Sequence, residues 1–336
     1  MVKKWGMILS ASVIVLTGCG EETENLPEQD EDTYESETEN SATGDGETTI
    51  THALGETTLE EKPERIVVLE WVYAENLLAL GTQPVGVADI DGYDAWVNVE
   101  PELAEDVTDV GTRQEPSLEE IARLEPDLII TAASRHEGIQ SQLEQLAPTV
   151  MFEPYPEEGE GDQYEEMIST FEEMAKAVGK EQEAVEVLAD LEDSYDMLAE
   201  QINDAGLTDT EVLLSQAYSA NETAVLRLFT DNSMAVQIME QINLQNAFDG
   251  RDFELYGYVE TGVDQLERYE DAHFTYIVQE DDNVFENQLK DNIVWNKLNF
   301  VQEHRNYALP GDTWTFGGPL SAEVFAEQMT DILVGE

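Results

Sequence analysis

Cysteine is almost absent. The one thiol is Cys19, so no disulfide can form within the chain. Basic residues are scarce too: 15 Lys and Arg stand against 75 Asp and Glu, a formal net charge of -60. That balance excludes nucleic acid as a partner, because phosphate backbones are met by basic surface. Histidine is limited to His52, His136, His273 and His304, with no i,i+3 or i,i+4 pair. Zinc and manganese centres ordinarily draw on two or more histidines with carboxylates. No such spacing occurs here, although direct metal binding by distant, converging residues stays open. G-x-S-x-G, Walker A, Rossmann glycine and H-E-x-x-H patterns are also missing. With no thiol in the folded part either, the chain reads as a binding protein without catalysis and without a resident cofactor.

What is present begins with the acidity itself, which exceeds what solubility requires. At about 1 M salt the Debye length is roughly 3 Å, so repulsion among such charges is largely screened. We read the surface as that of a halophilic protein; an ordinary acidic protein is the alternative. The N-terminus follows a processing pattern. Lys3 and Lys4 precede a short apolar segment, Trp5 to Leu16, too short for a permanent membrane span. Leu16-Thr17-Gly18-Cys19 then resembles the lipobox of bacterial lipoproteins. The expectation is a signal peptide over residues 1–18 and lipidation of Cys19, which would place the protein on the extracytoplasmic face of the cell membrane. Residues 19–47 are polar and acidic, cannot bury enough surface to order themselves, and read as a tether.

Folded structure is expected from Thr48. Apolar β-branched runs at Ile66–Leu69, Val85–Ala88, Leu128–Thr131 and Thr149–Phe152 read as strands. Helices are expected at Tyr73–Leu80, after the cap residue Ser117, and at Glu137–Leu146. Such alternation indicates a largely parallel sheet covered on both faces. Tyr164 to Val178 carries apolar residues at helical spacing without interruption, and a second amphipathic stretch covers Ala184 to Ile202. Further strands are expected at Val212–Leu214, Val225–Phe229, Tyr276–Val278 and Tyr307–Leu309, with helices at Asn232–Ile242, Asp291–Leu298 and Ser321–Leu333. The fold class is therefore α/β: two lobes, each a mainly parallel sheet flanked by helices, spanning residues 48–162 and 180–336. A helix over residues 163–179 lies between them.

Arginine in so acidic a chain draws attention to where it stands. Arg113 and Arg135 bracket one helix–strand unit, and Arg227 lies in or beside a strand of the second lobe. Glu70, Trp71 and Tyr73 follow the first strand of the parallel set, and Ser134, Arg135 and His136 follow the third. Tyr256, Tyr258 and Trp314 fall in loops. Ligands of open α/β sheets sit beyond the carboxyl ends of strands, and arginine forks recognise carboxylates. The set points to a site for an organic anion.

The segments PERIVVLEWVYAENLLALGTQPVGVAD, VGTRQEPSLEEIARLEPDLIITAASRHEGIQSQLEQLAPTV, VLRLFTDNSMAVQIMEQI and DTWTFGGPLSAEVFAEQM resemble the substrate-binding lipoproteins of iron–siderophore ABC importers, in the single-helix-hinge class. VGTRQEPSLEEI and the run around Ser134-Arg135-His136 are most similar to the ferric dicitrate group. The resemblance implies that the helix from Tyr164 is the hinge, that closure is small, and that Fe(III) arrives already chelated. It implies ligand contacts from Trp71, Arg113, Ser134, Arg135, His136, Arg227 and Trp314. It also implies a monomer that docks through an acid on each lobe onto an ABC permease with its ATPase. The matching positions are Glu119 and Asp264, the latter shorter than the usual Glu. A catecholate or hydroxamate chelate, a corrinoid, or a bare metal remain as alternative cargo.

Overall fold

The computed structural model describes residues 47–250 and 253–335. The signal segment, the tether and Cys19 lie outside them. Folded structure starts at a hairpin, β1 (Thr48–His52) with β2 (Gly55–Leu59), paired antiparallel. It docks on the next sheet through Ala53 N to Met151 O at 2.9 Å and Thr57 Oγ1 to Thr149 O at 3.0 Å. No apolar run announces this hairpin.

The first lobe is a five-stranded parallel sheet in the order β5 (Thr108–Asp109), β4 (Gly86–Val87), β3 (Ile66–Val68), β6 (Leu128–Ala132), β7 (Thr149–Phe152). Strands β3, β6 and β7 are buried on both faces because both are covered, whereas the edge strand β5 is polar and unburied. Ile66, Val68, Leu128, Ile130 and Val150 enter one core cluster, and Val67, Ile129 and Met151 the other. The helices on it are α1 (Trp71–Ala79), α2 (Ile90–Trp96) and α3 (Leu118–Arg123). Ser117 caps α3, its side chain accepting from Glu120 N. The expected helix over 137–146 is broken. In its place stand a 3-10 turn at Glu137–Ile139 and α5 (Gln140–Leu143), preceded by a separate single turn, α4 (Ala133–His136). Gly138 is a weak helix former, and the buried His136 leaves the helical region at φ -121°.

Two antiparallel helices follow, α6 (Gln163–Ala177) and α7 (Glu181–Asp204). Each touches both lobes. In α6, Met167 joins the second lobe's core, while Phe171, Met174 and Ala175 join the first lobe's. In α7, Ala184 joins the first core, and Leu191, Tyr195, Leu198 and Ile202 the second. The chain thus leaves the first lobe for good along α7, after α6 has run back onto it.

The second sheet has the order β11 (Tyr258–Thr261), β9 (Thr223–Phe229), β8 (Thr210–Ala220), β12 (His273–Ile277), β13 (Asn306–Leu309), with β10 (Leu244–Asn246) also on β8. It is mixed: β8 pairs parallel with β10 and β12, and β12 with β13, whereas β9 runs antiparallel to β8 and β11. The reason is the turn. Asn221 and Glu222 take φ of 50° and 63°, the paired positive values of a two-residue hairpin turn. Helices α8 (Met234–Gln241), α9 (Val284–Asn287), α10 (Asn299–Gln302) and α11 (Pro319–Val334) complete the lobe. Only Trp295–Lys297 of the expected 291–298 helix is helical, as a 3-10 turn. The Asn292 side chain accepts from Val294 N and Trp295 N, a local bond that competes with helix.

Candidate functional site

Arg113 is presented by a closed turn. Gly111 and Pro116 form a bridge, Asp109 Oδ1 accepts from Gly111 N, and Thr112 Oγ1 accepts from Glu115 N. Gly111 has φ +98°, and a Cβ there would meet the Ser117 amide nitrogen at 3.0 Å, so glycine is required. Arg135 projects from α4, directly after β6. Glu153, just beyond β7, accepts from Ser134 N and Ser134 Oγ at 2.9 and 3.0 Å and holds that helix start. Both arginines turn to one carboxylate. Glu70, following β3 and only 6% exposed, accepts from Arg113 Nη1 at 3.2 Å and pairs through its other oxygen with Arg135 Nε.

Aromatic rings wall the space around these groups. The Arg113 guanidinium lies 3.5 Å from the centre of the Trp71 ring, a cation–π contact. Trp314 meets Trp71 and Trp96 with ring centres 5.3 and 6.4 Å apart. Trp71 is fixed by donation from Nε1 to Asp89 O at 3.1 Å. Gly92 makes room for it, since a Cβ there would stand 2.5 Å from the indole ring.

The second lobe supplies Arg227 through strand register. Gln216 of β8 and Glu260 of β11 both face Arg227 of β9. Arg227 donates to Gln216 Oε1 at 3.2 Å and to Glu260 Oε1 at 3.3 Å. Side chains two residues along share a face. This brings Tyr218 and Tyr258 to 4.9 and 4.5 Å from the Arg227 guanidinium. Arg113, Arg135 and Tyr155 of the first lobe and Arg227, Tyr256, Tyr258, Trp314 and Phe316 of the second line one cleft of about 260 Å³. Trp71, Trp96 and Tyr218 line its neighbour of about 370 Å³.

The cleft thus gathers five of the expected ligand residues: Trp71, Arg113, Arg135, Arg227 and Trp314. Ser134 lines an adjoining compartment of about 130 Å³, with its amide and hydroxyl both engaged by Glu153. His136 is a correction. Its ring is 1% exposed, bonded through Nδ1 to Thr131 Oγ1, and lies against the backbone of Arg113. Burial pushes it down to about 4, so it is neutral at pH 7. It backs the Arg113 turn and lines none of the three compartments. Glu119 projects from the first turn of α3, paired with Arg123 at 2.5 Å. Asp264 is exposed in the turn Val263–Tyr269. Cys19 lies outside the described residues.

Tyr155, Phe316, Tyr218, Gln216 and Glu260 join the site without having been singled out from sequence. Register brings three of them, and register is not written in local pattern. Among the described residues no group of three or more His, Cys, Asp or Glu side chains could hold a metal ion.

One further contact positions the Trp314 wall. Glu75 of α1, fully buried, accepts from Gly318 N at 2.9 Å, Ser321 N at 2.7 Å and Ser321 Oγ at 2.7 Å. It satisfies the first turn of α11 from the opposite lobe. Gly317 and Gly318 allow the approach: Cβ atoms there would stand 2.4 Å from Glu75 Oε2 and 2.0 Å from Asn76 Oδ1.

Comparison with known proteins places this architecture. The Fe(3+)-citrate-binding protein YfmC of Bacillus subtilis (strain 168) is 32% identical over 288 residues, covering 82% of each chain. The iron(3+)-hydroxamate-binding protein FhuD of Escherichia coli (strain K12) is 29% identical over 275 residues, 82% of this chain and 88% of that one. Among solved structures, the Fe3+–Desferal-bound siderophore binding protein FhuD from Vibrio cholerae matches with a TM-score of 0.71 at 30% identity, covering 81% of this chain and 98% of that one. The pattern described as periplasmic binding protein runs from residue 66 to 313, from the first strand of the parallel sheet to the edge of the Trp314 wall. With a match across both lobes and their junction, the chain belongs to the periplasmic binding protein family.

Proposed function

We propose that the protein is an extracytoplasmic receptor that captures an Fe(III)–siderophore complex, ferric citrate or a similar carboxylate chelate, and delivers it to an ABC importer. The observation that carries this reading is the convergence of Arg113, Arg135 and Arg227, from both lobes, on one aromatic-walled cleft. Guanidinium groups bind carboxylates through paired, charge-assisted hydrogen bonds. Such a site suits iron that is already chelated: the chelate fills the metal's coordination shell, and the protein meets the chelate's outer oxygens. Trp71, Trp314 and Phe316 cover its apolar faces. Nothing in that capture requires a bond to be made or broken.

Relatives support the same class. A citrate-named relative and a hydroxamate-named one both match over 82% of this chain. A hydroxamate chelate is the second reading, favoured by the density of tyrosine and tryptophan around Arg227 and Arg113. Cys19 is the proposed lipid anchor, holding the receptor at the membrane. Among the described residues no helix is long and apolar enough to cross one. Glu119 and Asp264 are the proposed permease contacts.

Titration with tryptophan fluorescence tests the reading. Of the four tryptophans in the described residues, Trp71, Trp96 and Trp314 line the cleft, while Trp295 sits in a separate core cluster. Ferric citrate should quench emission saturably, whereas free zinc or manganese should not. A flat response to ferric citrate and to a ferric hydroxamate alike sinks the proposal.

A further inference from the structure

The two first-lobe arginines are already occupied. Glu70 is 6% exposed and places one oxygen on each of them, Oε2 on Arg113 and Oε1 on Arg135. The carboxylate engages Arg113 Nη1 and Arg135 Nε, and both arginines still line the cleft. It also offsets one unit of positive charge on that wall, where Arg113 is largely withdrawn from solvent and screened less than a surface charge. Arg227 has its own acid, Glu260 at 3.3 Å, but that side chain is 48% exposed and solvent weakens its effect. Glu70 is therefore the acid that sets the field inside the cleft.

We propose that Glu70 is the charge selector of the site: a built-in carboxylate that leaves the paired arginines one net positive charge and so sets how anionic a chelate the cleft accepts. This rests on the siderophore reading above. With Glu70 in place, Arg113 and Arg135 together balance one residual carboxylate of a bound chelate. Without its charge they would balance two, and the cleft would favour more anionic complexes. Glu70 also orients both guanidinium planes, so removal of charge must be separated from loss of shape.

The test compares two ferric chelates of different charge on the full-length protein. Ferric citrate is anionic, while the Fe(III) complex of Desferal carries a free ammonium. Dissociation constants for both are measured by fluorescence for wild type, Glu70→Gln and Glu70→Asp. Glu70→Gln keeps an oxygen for one arginine and should shift the affinity ratio toward ferric citrate by about tenfold, close to the lower end of the range for close charge pairs at interfaces. Glu70→Asp keeps the charge and should hold the wild-type ratio within about twofold. An unchanged ratio in Glu70→Gln, or an equal shift in both variants, overturns the selector. Wild type binding neither chelate overturns the siderophore reading and the selector together, and that outcome is read without any variant.

Discussion

At the scale of single residues, the cleft is defined by which charges have been brought out of water. Arg113 keeps 15% of its side chain exposed and Arg135 32%, and both lean on the same buried acid. Replacing either with alanine should weaken chelate binding by about 1.5–3 kcal/mol, the range for hydrogen bonds to charged groups. Isothermal titration against ferric citrate measures it, and unchanged affinity in both variants would remove the anion pocket from the account. Surface pairs such as Arg123 with Glu119 and Arg268 with Asp249 are more than half exposed and should contribute little. His136 shows what residue-level reading misses. The family resemblance alone implied a ligand contact for it, but its burial and its bond to Thr131 depend on the strand beneath it, and neither is visible in a string of letters.

At the scale of elements, the connection of α1 to α11 carries the sharpest energetic claim. Glu75 stays buried among backbone donors, yet burial still raises its carboxyl above the ordinary range. A group harder to ionise folded than unfolded binds more protons in the fold. Its stabilising contribution is complete below the unfolded pKa and is lost as pH climbs through the raised folded value. Glu75→Gln keeps an acceptor for both amides, and Ser321 Oγ can turn to receive the new NH2. The variant's stability relative to wild type should therefore grow over the pH range that runs upward from the unfolded carboxyl value of about 4. Urea unfolding across that range reads the difference, and a constant offset contradicts it. Glu75→Ala strands those donors and should cost roughly 3 kcal/mol. Elements themselves were largely legible. The runs at Ile66, Leu128 and Thr149 became strands because both faces are buried. The helices expected near residues 137 and 291 were interrupted by side-chain bonds and a glycine that periodicity does not weigh.

At the scale of the whole molecule, charge dominates. With 75 acidic and 15 basic residues, the folded chain concentrates repulsion that the unfolded chain disperses. Raising salt from about 0.1 M to about 1 M shortens the Debye length from roughly 10 Å to roughly 3 Å. The melting temperature should rise over that interval, and the close, partly buried Arg113–Glu70 contact should be screened much less than the surface charges. Calorimetry in a sodium chloride series checks this; a melting temperature that falls with salt contradicts the halophilic reading. The two-lobed α/β plan was legible from the alternation of elements, whereas the mixed second sheet was not. The two-residue turn at Asn221 and Glu222, which sets its antiparallel edge, involves neither glycine nor proline.

The helix pair between the lobes has a mechanical consequence. Two stiff rods, α6 and α7, run side by side with each end anchored in a different core, and Glu75 adds a third strut between α1 and α11. A single rod bends and twists freely, whereas a braced frame resists both. On the receptor reading proposed above, such a frame would keep nearly the same outline empty and filled, and a membrane partner would then read the cargo at the mouth of the cleft itself, from the cargo or from the side chains that cargo displaces.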